Sequence, residues 1–96
     1  MAGEPITDYI ITDHATTEIE RRGLSVETID RILKSPEQRL EVRPGRVVLQ
    51  SRVQEFGSEY LVRVFVDIDR KPAEIVTAYR TSKVSSIGGL KYEGTL

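Results

Sequence analysis

The 96-residue chain contains no cysteine, no tryptophan and a single histidine. Without cysteine there is no disulfide framework, no thiolate zinc site and no thiol nucleophile. One imidazole leaves little for a metal centre, so no metal and no other cofactor is expected. No apolar run approaches the roughly 18–20 residues that a membrane-spanning helix requires. The opening Met1-Ala2-Gly3-Glu4-Pro5 lacks a basic-then-apolar signal pattern, and a cytoplasmic location is expected. Charge of one sign is missing as well, with 14 Lys+Arg against 15 Asp+Glu for a net of −1. A dedicated non-specific nucleic-acid binder is usually far more basic.

What is present suffices to fold. Hydrophobic residues make up 39% and charged residues 30%, which places the chain among globular rather than disordered sequences. Its length predicts one domain, taken as residues 1–84, with a mobile tail over 85–96. The charges are unevenly spread. Residues 1–42 hold five Lys/Arg against nine Asp/Glu, and residues 43–96 hold nine against six. Positive potential therefore falls on the C-terminal half.

Periodicity orders the elements. Thr12 or Asp13 can cap a first helix, in which Ala15 and Ile19 share a face, and Arg22-Gly23 is a strong stop. Ser25 opens a second helix whose buried stripe is Val26, Ile29, Ile32 and Leu33, ended by Pro36. Beyond Pro36 the pattern alternates. Pro44-Gly45 and Phe56-Gly57-Ser58 read as turns, and residues 46–55, 59–67 and 73–81 read as strands. Segregated helices followed by a meander predict an α+β domain, with two N-terminal helices on one face of a three- to four-stranded antiparallel sheet. Too little chain remains to cover the other face.

Several residues can carry chemistry. Arg63 sits mid-strand between Leu61 and Phe65, with its stem over apolar neighbours and its head either in water, paired to Asp67, or on an anion. Arg52 carries the same ambiguity. His14, near the start of the first helix, is the one side chain of a type that titrates near neutral pH. It can act as a general acid or base, or simply pack at the helix start. Tyr79-Arg80-Thr81-Ser82-Lys83 is the densest cluster. Tyrosine can stack on a base, and Arg, Lys, Ser and Thr can hold phosphate oxygens.

Taken in order, Thr12-Asp13-His14-Ala15, Arg22-Gly23-Leu24-Ser25, Tyr60-Leu61-Val62-Arg63-Val64 and Ile75-Val76-Thr77-Ala78-Tyr79-Arg80-Thr81-Ser82-Lys83 resemble the family named domain of unknown function 4258. The resemblance spans roughly residues 8–83. That family is similar to the barnase–EndoU–colicin–RelE group of small ribonucleases, many of them toxins. The resemblance implies a RelE-like fold with an RNA-facing surface on the sheet face away from the helices. It implies catalytic roles for His14, Arg63, Tyr79 and Arg80 and substrate binding by Thr77 and Lys83; Arg52, as a strand arginine like Arg63, is counted with the substrate-binding residues from its own position. The expected activity is metal-independent ribonuclease action, with RNA as substrate and an antitoxin-like protein as partner. The alternatives are a non-catalytic RNA- or protein-binding module and self-association through an edge strand. The ribonuclease reading requires that His14, Arg63 and Tyr79 converge on one surface.

Overall fold

The computed structural model describes residues 3–82. Seven elements follow in chain order: β1 (Tyr9–Ile11), α1 (Asp13–Arg21), α2 (Val26–Lys34), β2 (Gln38–Arg43), β3 (Arg46–Glu55), β4 (Ser58–Asp67) and β5 (Ala73–Thr81). The expected tail over 85–96 lies outside the described residues.

Both helices start where the sequence places the caps. Thr12 Oγ1 accepts from the Ala15 amide, and Ser25 Oγ accepts from the Thr28 amide. α1 closes with Gly23 at φ +70°. The Gly23 amide donates to Glu20 O and the Leu24 amide to Ile19 O, the reciprocal pair that a left-handed glycine allows.

The sheet corrects the expected architecture. It has five strands in the order β1-β5-β4-β3-β2, and it is mixed rather than antiparallel, because β1 pairs parallel with β5. The segment before α1 is thus a strand in its own right. Three residues are too few to display a period of two. Tertiary contacts make it a strand: Tyr9 to Ile11 pair with Ala73 to Ile75, and Thr12 bonds to Ile75 O through both its amide and Oγ1. Leu40 and Val42 likewise belong to a full strand, β2, which pairs with β3 and forms the far edge.

The core lies between the helices and one sheet face. Ala15, Ile19, Ile29, Ile32 and Leu33 meet Val47, Leu49, Val53, Val62, Val64, Val66, Ile75 and Ala78 there. β5 contains a break in alternation. Phe65 pairs with Thr77 but Val66 pairs with Ile75, so the register skips Val76. The extra residue reverses the pleat. Ile75 and Ala78 therefore both face the helices, whereas simple alternation puts Ile75 with Thr77 and Tyr79.

Tyr9 ties β1 to α2 by donating from its hydroxyl to Asp30 Oδ1 at 2.6 Å, and Asp30 also pairs with Lys34 at 2.8 Å. Burial, helped by the Asp30 carboxylate, pushes the Tyr9 hydroxyl up to about 12. A raised acid pKa contributes stability that is intact below the unfolded value and is lost as pH rises through the folded one. Tyr9→Phe should therefore flatten the loss of stability between about pH 10 and about pH 12, as read by denaturant midpoints across that range. Ile29→Ala, at a fully buried position, should cost about 2–5 kcal/mol in chemical denaturation. Val26, expected in the buried stripe, is instead exposed at the first position of α2, so Val26→Ala should change stability by less than about 0.5 kcal/mol.

Candidate functional site

Burying Val62, Val64 and Val66 under the helices turns Leu61, Arg63 and Phe65 to the opposite face. Register then sets their neighbours. Gln50 on β3 and Tyr79 on β5 stand on either side of Arg63, and Gln38 on β2 stands beyond Gln50. The four side chains form a continuous hydrogen-bonded row across the sheet. Gln50 Nε2 donates to Gln38 Oε1 at 2.6 Å, Arg63 Nε donates to Gln50 Oε1 at 2.8 Å, and Arg63 Nη1 donates to Tyr79 OH at 3.0 Å.

An aromatic pair frames the guanidinium. The Phe65 and Tyr79 rings stack with centroids 5.9 Å apart, and the Arg63 guanidinium carbon lies 5.5 Å from the first and 5.9 Å from the second. The surroundings of Arg63 are low in water. Val48, Leu61 and Gln50 on the same face are buried, and Arg63 itself is half-buried. No carboxylate among the described residues pairs with it. Asp67, the expected counter-ion, pairs instead with Arg46, its cross-strand neighbour, through Nε to Oδ1 at 2.6 Å and Nη2 to Oδ2 at 3.1 Å. That arginine holds the Asp67 carboxyl below the usual carboxylate range. The result is a charged fork held by neutral partners, a fitting receptor for an oxyanion.

The remaining candidates fall elsewhere. Arg80 faces the helices opposite Val62. Its Nη1 and Nη2 donate to Arg22 O and Gly23 O at 2.7 and 3.1 Å, Nε and Nη2 meet Glu55 Oε1, and the Phe56 and Tyr60 rings lie 5.4 and 5.8 Å from its guanidinium carbon. It fastens the α1–α2 connection to the β3–β4 hairpin. Thr77 shares the Arg63 face, but its hydroxyl accepts from Arg22 Nη1 at 3.2 Å, where Arg22 also caps Ala78 O on the outer edge of β5. Arg52 shares the face too and is bound to Glu37 through two charge-assisted bonds. Lys83 lies outside the described residues.

His14 does not join Arg63 and Tyr79. α1 runs alongside β5, with Thr12 bonded to Ile75 O at its start and Arg22 bonded to Ala78 O at its end. His14, at the Ile75 end, is exposed on the helix side of the sheet, and its side chain makes no hydrogen bond or ion pair among the described residues. The strand from Ile75 to Tyr79 alone spans roughly 13 Å. The expected trio is thus a pair.

Sequence reasoning missed Gln50 and Phe65 as partners of Arg63, and Gln38 as the partner of Gln50. A signal existed for the first. A lone amide in Val47-Val48-Leu49-Gln50 is a buried polar group that needs partners. No cluster of metal-ligating side chains occurs among the described residues, and no helix among them is long and apolar enough to cross a membrane.

A family profile described as Domain of unknown function (DUF4258) matches residues 11–80, and the chain belongs to that family. No curated protein and no solved structure gives a significant match.

The geometry separates two arginines by role. Arg80→Ala, which strips the donor from Glu55 and two loop carbonyls, should lower stability by about 1–3 kcal/mol, whereas Arg63→Ala, which leaves only the buried Gln50 Oε1 without its donor, should cost clearly less. Paired denaturation curves check this contrast, and equal losses would contradict it.

Proposed function

We propose that this family member acts on RNA through the Arg63-bearing sheet face, as a metal-independent ribonuclease of the RelE-like type. The observation that carries the reading is Arg63, a half-buried guanidinium with neutral partners and a phenol hydroxyl 3.0 Å away. In such cleavage the 2′-oxygen attacks phosphorus and the bond to the 5′-oxygen breaks. The proton lost by the first oxygen is replaced by one delivered to the second. A base, an acid and a cation for the charged phosphorane are needed. Arg63 supplies the cation, always charged and bidentate. Tyr79, whose hydroxyl both donates and accepts, passes a proton at the same phosphate. Phe65 and the Tyr79 ring offer a surface on which a base can stack. An antitoxin-like partner, where one exists, would cover this face.

The position of His14 favours a second reading, a non-catalytic RNA-binding module on the same face. It removes the imidazole from the phosphate and leaves Tyr79 as the one proton-transfer group beside Arg63 among the described residues.

Cleavage of a mixed-sequence RNA in the presence of a chelator separates the two. Under the first reading Arg63→Ala should slow cleavage about 10²–10³-fold, Tyr79→Phe should slow it about 10²-fold or more, and His14→Ala should leave it unchanged. Under the second, wild-type protein should bind RNA without cutting it, and Arg63→Ala should weaken binding. Neither cleavage nor salt-dependent binding would refute both.

A further inference from the structure

We infer that Gln50 is the positioning residue that holds the Arg63 guanidinium ready for an anion while leaving its charge intact. The inference rests on the proposed anion-binding role of Arg63.

A guanidinium donates and never accepts. The atom facing Arg63 Nε must therefore be an acceptor, which turns the Gln50 amide oxygen toward β4. The amide nitrogen is then turned the other way, onto Gln38 Oε1 at 2.6 Å. Gln50 is wholly buried, so a flipped amide would set donor against donor with no water to relieve it. The charge on β4 thereby fixes amide orientation on β3 and β2. In return, Gln50 and Tyr79 hold the guanidinium plane at Nε and Nη1, and Nη2 has no partner among the described residues.

The choice of an amide is the telling feature. Arg46, Arg52 and Arg80 each meet a carboxylate, from Asp67, Glu37 and Glu55. At position 50 a carboxylate would accept the same bond and cancel the charge. Glutamine keeps the orientation and leaves the charge for a ligand, which is preorganisation without neutralisation.

Binding of a short single-stranded RNA oligonucleotide, followed by fluorescence anisotropy over a range of salt, tests this in four variants. Arg63→Ala should weaken binding and lower the salt slope by about 0.7. Gln50→Met should weaken binding about tenfold with the slope unchanged, because the charge remains but its tether is gone. Gln50→Glu should weaken binding further and lower the slope as Arg63→Ala does. In the double variant, Gln50→Met should add nothing to Arg63→Ala. If Arg63→Ala has no effect, the RNA reading itself fails. If Arg63→Ala weakens binding but Gln50→Met does not, or if the two losses add, only the positioning role fails. Should Gln50→Met not fold, Gln50→Glu decides, and wild-type affinity in that variant would overturn the inference.

Discussion

The structure depends on a constraint in β4. Successive side chains of a strand point to opposite faces, and Val62, Val64 and Val66 are fully buried against the helices. No register that keeps those valines inside can also bury Arg63 there. A slip by one residue would push a guanidinium into the apolar layer and three valines into water. The same alternation therefore specifies the core and delivers Arg63, with Phe65, to the opposite face. Fold and candidate site are two consequences of one pleat.

Around that constraint, arginines perform different tasks according to what faces them. Arg80 on β5 and Arg22 at the end of α1 tie the helix connection to the sheet. The first satisfies two loop carbonyls and Glu55, and the second satisfies Ala78 O, an edge carbonyl that β1 is too short to reach. Arg46 neutralises Asp67 within the sheet, and Arg52 neutralises Glu37 just before β2. Arg63 alone of these five is held by an amide and a phenol, and no carboxylate among the described residues compensates its charge. A nearly neutral chain can thus carry a local anion receptor, because a net charge of −1 says nothing about which cations are already paired.

The placement of His14 bears on chemistry. Its helix packs alongside β5 on the core side, so the imidazole and the guanidinium are separated by the sheet itself. Among the described residues, the groups gathered at the Arg63–Tyr79 pair are a hydroxyl, a guanidinium, an amide and aromatic rings. The sequence cluster at 79–83 is also split by geometry. Tyr79 and Arg80 are neighbours in sequence, yet one faces the candidate site and the other serves as a structural fastener.

The sequence by itself determined the two helices and their caps, through Thr12, Ser25 and Gly23, and the three long strands, through turns and a period of two. It also determined that Arg63 points away from the valines, because alternation is a local property. It could not reveal β1 as a parallel fifth strand, since three residues carry no period and pairing with β5 is decided some 60 residues away. Nor could it show the skipped Val76, which is a matter of register between two strands. The row from Gln38 to Tyr79 was likewise invisible, because it joins four strands through side chains 12 to 16 residues apart in sequence. Those contacts exist only once the sheet has formed, and it is their hydrogen-bond polarity, set by a group that can only donate, that gives the face its chemistry.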